Sequence, residues 1–353
     1  MKALILSGGT GTRLRPLTYT IAKQLLPVAN KPILHYIIEK VAKAGITEVG
    51  IIVGNTQDEI KLSVGNGDKW DVNVTYIYQP LPLGLAHAVK TAADFLQDSD
   101  FLMILGDNLF QMELDSLIKS FRDTGSNASV LLHKIQNPTG FGVAVVENGQ
   151  VVRLIEKPPE PISDLIITGV YLFDKSIFPA IENTKPSKRG ELEITDAMQK
   201  LLEMGGKISF EIIRGWWKDT GKLKDILEAN QLTLGEIKSI FETPLNNNST
   251  YTGEVCIGKN VIIENSILRG PVIIGDNSCI INSYLGPYTA ISSGVKISNC
   301  EVENTIILEG TQIENVDKKI DSSLIGRNAI IKGKKYRPNS NSLLVGDDSE
   351  VYV

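Results

Sequence analysis

The chain has little cysteine or histidine and no long apolar run. Its three cysteines, Cys256, Cys279 and Cys300, stand far apart with no CxxC pair. That spacing argues against a disulfide framework or a thiolate metal site and points to a reducing cytoplasm. No apolar run approaches the ~20 residues that span a bilayer. The N-terminus enters a strand-like run at once, without a signal-peptide pattern. Charge is nearly balanced, with 36 Lys and Arg against 41 Asp and Glu and a net of −5. Neither nucleic acid nor a membrane is therefore expected as a partner, and any basic site must be local. The only histidines are His35, His87 and His133. His35 and His87 fall within helical patterns and read as packing or surface residues.

What the chain does have is concentrated near its start. Residues 7–32 read SGGTGTRLRPLTYTIAKQLLPVANKP, directly after the apolar run Leu4-Ile5-Leu6. A loop this poor in side chains brings backbone N–H groups close to an anion. Arg13 adds a planar fork suited to phosphate oxygens, and Lys23 a mobile point charge. The chemistry implied is the handling of a polyphosphate, most simply a nucleoside triphosphate.

A length of 353 residues suggests two domains. The first two-thirds alternates strands (2–6, 48–53, 74–78, 101–105) with helical patterns (33–44, 84–96). That order predicts a parallel sheet covered by helices on both faces. Ligands of such sheets bind beyond the carboxyl ends of the strands, where the Gly-rich loop and the Gly106-Asp107-Asn108 turn both fall. Further on, residues 141–146 and 151–155 read as a hairpin, 166–173 as a strand and 192–204 as a helix. The polar stretch 241–252 marks a linker between domains at 1–240 and 253–353. Beyond it the aliphatic period becomes six: Ile257 and Ile263, Ile274 and Ile280, then Leu285, Ile291 and Ile297. A hexapeptide rhythm predicts a parallel β-helix. This region has no histidine, so acyl transfer with a histidine base is disfavoured. A scaffold, an oligomerisation surface or a regulatory site is expected instead, and the chain is expected to form a homo-oligomer.

Nucleotidyl transfer needs a held triphosphate, a divalent cation at the α-phosphate and an attacking oxygen in line. Asp107 and Asp219 are candidate ligands for Mg²⁺, an ion that keeps waters and needs few protein ligands. Equally, Asp107 can be a turn residue or cap, and Asp219 can cap a helix at 221–234. Glu156 and Lys157 can bind sugar hydroxyls and a sugar phosphate, or form an exposed ion pair. Gly142 can let a sugar ring lie close to the backbone. Gln79 can pair with a base edge, or serve as a turn residue before Pro80.

The first domain resembles the sugar-1-phosphate nucleotidylyltransferases. Within them it is most similar to the long-form glucose-1-phosphate thymidylyltransferases, which carry a C-terminal left-handed β-helix. The matching segments are 8–14, 23–27, 84–86, 106–108, 156–158, 168–171, 189–196 and 217–221, in family order, and the tail 345–352 also matches. The resemblance implies a Rossmann-like, mostly parallel nucleotidyltransferase fold followed by that β-helix. It implies that the phosphate of glucose 1-phosphate attacks the α-phosphate of dTTP, releasing pyrophosphate. By position, Leu6, Gly8, Gly9, Gly11, Thr12, Arg13, Lys23, Gln79, Gly84 and Asp107 would hold the nucleotide. Asp107 and Asp219 would hold Mg²⁺. Asn108, Gly142, Glu156, Lys157, Ile167 and Thr168 would face the sugar phosphate. Arg13, Lys23, Asp107, Lys157 and Asp219 form the expected catalytic set. Phe141 departs from the tyrosine usual in short-form members. UTP instead of dTTP, and a nucleotide-binding regulatory subunit without turnover, are the alternative readings.

Overall fold

The computed structural model describes residues 1–9, 11–245, 248–333, 345, 348, 349 and 351. Thr10 of the Gly-rich segment and half of the tail 345–352 lie outside the described residues. The described chain divides into two units. The first comprises Met1–Gly11, Ile21–Leu25 and Ile33–Asp219; the second comprises Thr12–Thr20, Leu26–Pro32 and the chain from Thr220 onward.

The first unit is built on β1 (Lys2–Leu6), β2 (Glu48–Val53), β3 (Asn73–Tyr78) and β4 (Phe101–Leu105). A short β5 (Asn108–Phe110) follows. Then come β6 (Ala128–Lys134), β7 (Val143–Glu147), β8 (Gln150–Ile155), β9 (Leu165–Phe173), β10 (Ile208–Ile212) and β11 (Trp217–Asp219). Nine of these form one sheet, in the order β8-β7-β9-β4-β1-β2-β3, with β6 pairing β9 and β10. β5 and β11 form a separate antiparallel ribbon. Pairing is parallel along β4-β1-β2-β3, as the alternation of strands and helices predicts. β9 runs antiparallel to β4, β6 and β7, so the sheet as a whole is mixed.

β4 throughout and β1 after Lys2 are apolar because both of their faces are covered: Leu4, Ile5, Phe101, Met103 and Ile104 are wholly buried. The helix Ile33–Lys43 buries Ile33, Leu34, Ile37, Ile38 and Val41 at helical spacing. The helix expected over 84–96 is two pieces, Leu85–Thr91 and Ala93–Leu96. It breaks at Ala92, whose N–H is shared between the carbonyls of Ala88 and Val89 at 3.1 Å each.

β1 lies between β2 and β4: the chain runs outward from β1 through β2 to β3, then crosses back to place β4 on the other side of β1. That is a topological switch point, where a crevice opens beyond the carboxyl ends of the strands. The loop after β1 and the turn after β4 flank it, joined by Gly106 N–H donating to Leu6 O at 2.9 Å.

The second unit is a left-handed parallel β-helix with attached segments. Among the described residues its short strands stack into three parallel sheets of six, five and five strands. One coil takes 17 residues in the register Ile257 to Ile274 and Ile263 to Ile280. Ile257, Ile274, Ile291 and Ile307 form one inward column, and Ile263, Ile280, Ile297 and Ile313 another, all essentially buried. Asparagines at positive φ, among them Asn265, Asn282, Asn299 and Asn315, turn the corners. An internal ladder runs from Ser249 to Cys300. Ser249 Oγ accepts from Ser266 N–H, Ser266 Oγ from Ser283 N–H and Ser283 Oγ from Cys300 N–H, at 3.1–3.3 Å. Cys300 thus continues a serine column, and the three cysteines are free thiols. In the same unit, Asn230 on the helix Leu223–Leu234 ties the coils to the Leu26–Pro32 segment. It accepts from Ala29 N–H and donates to Tyr288 O, both at 2.9 Å.

Candidate active site

The β5–β11 ribbon pairs Asn108 with Asp219, which brings the end of one strand beside the turn that carries Asp107. Lys23, on the one-turn helix Lys23–Leu25, points its ammonium at both carboxylates. Nζ bonds Asp107 Oδ2 and lies 4.0 Å from Asp219 Oδ1. The Lys23 side chain is only 8% exposed, so this ion pair is largely withdrawn from water. The helix after Asp219 begins at Leu223, with Lys222 at its N-cap. Asp219 therefore does not cap it. Two carboxylates converging on one cation are a donor set that also suits a hard divalent ion. Among the described residues no group of three or more His, Cys, Asp or Glu converges as a metal cluster. A cation at the two aspartates would complete its shell with water and substrate oxygens.

The floor beside this pair holds two polar groups that sequence reasoning did not assign to the site. Ser7 and Gln24 are buried, and Ser7 Oγ and Gln24 Oε1 have no hydrogen-bond partner among the described residues. A Cβ placed on Gly106 would meet Ser7 Oγ at 3.1 Å, and one on Gly9 would meet Gln24 Nε2 at 3.7 Å. Unsatisfied buried acceptors beside a glycine loop are costly unless something donates to them. Gln24 was legible only as a neighbour of Lys23, and Ser7 as the residue after an apolar strand.

Gln79 follows β3, with its N–H held by Val53 O at 2.9 Å. Its carboxamide lies over Gly8, with Oε1 3.4 Å from a Cβ placed there, and its Nε2 is 2.8 Å from His87 Nδ1. His87 is thus a partner of Gln79. The sequence could not show this, because the pairing joins a strand end to a helix. Gly84 opens that helix at φ +109°, with its backbone pressed against Leu192. A side chain there would be both strained and obstructed.

The structure brings together the residues expected to face a sugar phosphate, Asn108, Gly142, Glu156, Ile167 and Thr168. Asn108 Nδ2 donates to Thr168 O at 2.8 Å, leaving Oδ1 buried and without a partner among the described residues. Gly169, at φ +82°, makes room for that amide. The Thr168 hydroxyl is turned to Leu131 O at 2.7 Å. Trp217 Nε1 also donates to Thr168 O, and the Trp217 ring meets Phe141 edge-to-face at 5.8 Å. A Cβ on Gly142 would lie 3.0 Å from Glu156 Oε2, 3.2 Å from Thr195 Oγ1 and 3.3 Å from Ile167 Cδ1.

Glu156 is held from three directions. Thr195 Oγ1 donates to it at 2.8 Å, Arg189 Nη2 lies at 3.3 Å and Lys157 Nζ at 3.5 Å. Arg189 also bonds the buried Glu193 at 2.7 Å. Burial, then Glu193 and Glu156, raise the Asp196 pKa, with Arg189 opposing. Burial pushes the Tyr171 hydroxyl well above its usual range, and Glu156 and Glu193 add to the shift. Lys157 has φ +40°, a strained setting for a residue with a Cβ, and strain of this kind clusters at functional sites. His133, near Trp217, has its pKa lowered by burial and then by Lys218.

Leu6, Gly8, Gly9 and Gly11 line the end of β1 in the first unit. Thr12 and Arg13 lie on a one-turn helix, Thr12–Leu14, that belongs to the second.

A family model described as nucleotidyl transferase matches residues 2–236. The chain belongs to the nucleotidyl transferase family. Among curated relatives of this family, a glucose-1-phosphate thymidylyltransferase from Streptomyces antibioticus is 45% identical, covering 100% of this chain and 99% of its own. The low-salt glycan biosynthesis nucleotidyltransferase Agl11 of Haloferax volcanii is 46% identical over 99% of both chains. A solved Bacillus anthracis structure, assigned as a glucose-1-phosphate thymidylyltransferase and in complex with a sucrose, superposes with a TM-score of 0.63. It is 36% identical and covers 67% of this chain and 96% of its own. No helix among the described residues is long and apolar enough to cross a membrane.

Proposed function

We propose that this nucleotidyl transferase moves dTMP from dTTP to glucose 1-phosphate, giving dTDP-glucose and pyrophosphate. The observation that carries the reading is the Lys23 ammonium between Asp107 and Asp219, beside the glycine loop at the switch point. The full-length Streptomyces relative at 45% identity, a glucose-1-phosphate thymidylyltransferase, supports the substrate class.

Backbone N–H groups of Gly8, Gly9 and Gly11 hold the triphosphate, together with Thr12, Arg13 and Lys23. Gln79 meets the base, and Gly84 fixes the wall beside it. Leu6 supplies the carbonyl that joins β1 to the Gly106 turn. Glu156 and the free Asn108 oxygen accept from sugar hydroxyls, while Gly142 and Ile167 shape the wall and Thr168 anchors Asn108. Lys157 takes the sugar phosphate and holds its oxygen in line. Arg13 and Lys23 offset charge that develops on the departing pyrophosphate. No general base is required, because the attacking phosphate oxygen is already ionised at neutral pH. Asp107 and Asp219 would hold Mg²⁺, which when bound supplies charge neutralisation at the α-phosphate. The reading places the reaction in the cytoplasm, on soluble substrates, with the β-helix as scaffold for a homo-oligomer.

Pyrophosphate release, screened over nucleoside triphosphates and sugar 1-phosphates, tests the reading. The expected result is highest kcat/KM for dTTP with glucose 1-phosphate. A clear preference for UTP would overturn the nucleotide assignment. Nucleotide binding without turnover on any pair would make the chain a regulatory subunit.

A further inference from the structure

The two ends of the Gln79 carboxamide have different neighbours. Its nitrogen meets His87 Nδ1 at 2.8 Å, while its oxygen lies over Gly8 on the crevice side. The residue is 8% exposed, so neither end has bulk water as a ready alternative. His87 in turn sits on a helix that cannot drift easily. Ala86 N–H bonds Leu192 O at 3.0 Å, and Leu192 N–H bonds Leu83 O at 2.7 Å. The Thr91 hydroxyl also closes on His87 O at 2.8 Å. An imidazole whose Nδ1 faces an amide N–H₂ acts as acceptor, with its proton on Nε2.

We propose that His87 is a positioning residue that sets nucleobase selectivity by locking the Gln79 amide with its oxygen toward the base. The proposal rests on the reading of this crevice as a pyrimidine nucleotide site. With Nε2 engaged by His87, Gln79 offers the ligand only an acceptor. Thymine and uracil carry an N3–H donor that matches it. Cytosine has a lone pair at N3, and two acceptors then face each other. An amide free to rotate by half a turn would serve both classes equally. The selectivity therefore comes from the residue behind the glutamine as well as from the glutamine itself.

Two variants test this. His87→Leu removes the acceptor. His87→Asn keeps one, because Asn Oδ1 stands at the same bond distance along the side chain as His Nδ1. A well-placed polar contact to a base discriminates by roughly tenfold to a hundredfold. His87→Leu is expected to lower the dTTP-to-dCTP ratio of kcat/KM by about tenfold or more, through a rise in KM for dTTP larger than any fall in kcat. His87→Asn is expected to restore most of the ratio. An unchanged ratio in His87→Leu overturns the proposal, as does a loss in His87→Asn equal to that in His87→Leu. A packing defect alone would weaken both nucleotides alike. Calorimetric titration of dTDP and dCDP against the same variants gives the same contrast without turnover. Selective, His87-dependent binding in a chain that catalyses nothing would refute the proposed reaction and uphold this inference. Binding of neither nucleotide would refute both.

Discussion

Replacing Lys23 with methionine removes one cation from between two carboxylates and leaves the side-chain volume nearly unchanged. The Lys23–Asp219 separation is 4.0 Å. At that distance an effective dielectric of about 20 gives roughly 4 kcal/mol of attraction, before desolvation is subtracted. Breaking a fully buried pair costs about 3–5 kcal/mol. Here the Asp107 and Asp219 side chains retain 22% and 34% of their exposure, so water takes up part of the released charge. We expect a net loss of about 2 kcal/mol without metal, or roughly 4–8 °C in Tm. The same substitution uncovers the two carboxylates. A divalent cation at about one hundred times its Kd returns about 2.7 kcal/mol. Added Mg²⁺ should therefore raise the Tm of Lys23→Met by more than it raises that of the parent chain. Differential scanning calorimetry with and without Mg²⁺ reads both effects. A variant with unchanged metal-free Tm, or with a smaller Mg²⁺ shift than the parent, would show that Lys23 does not offset the two carboxylates.

Gly142→Ala places a methyl 3.0 Å from Glu156 Oε2 and should displace the carboxylate. Losing a hydrogen bond to a charged group corresponds to about tenfold or more in KM for the sugar phosphate; a steady-state analysis in which the KM for dTTP rises equally would count against it. Asp196 has a raised folded-state pKa, so its stabilising contribution is full below the unfolded carboxylate pKa and is lost as pH rises through the folded value. Asp196→Asn should then increase Tm at neutral pH, with the gain vanishing in acid; a gain independent of pH would show another cause. Asn230 is fully buried between Ala29 N–H and Tyr288 O. Asn230→Ala should cost about 2–4 kcal/mol in urea unfolding, and an unchanged midpoint would show that both groups find other partners.

The parallel strands were legible because β1, β2 and β4 are near-continuous apolar runs, the pattern that a sheet covered on both faces imposes. The β-helix was legible because one inward aliphatic per short strand repeats through many coils. What stayed hidden depends on contacts between residues distant in the chain. Nothing local announces that β9 turns antiparallel, or that Trp217 and Asn108 both converge on the Thr168 carbonyl. The segment 189–196 matched the family motif, but its motif did not reveal that Arg189 and Thr195 grip Glu156. His87 looked like an ordinary helical residue because its partner, Gln79, closes a strand.

The proposed reaction requires Asp107 and Asp219 to share one divalent cation with the bound nucleotide. Mn²⁺ binding followed by electron paramagnetic resonance, with dTDP present, tests it most directly. One site per chain is expected, lost or greatly weakened in both Asp107→Asn and Asp219→Asn. Retention of that site at unchanged affinity in either variant would contradict it.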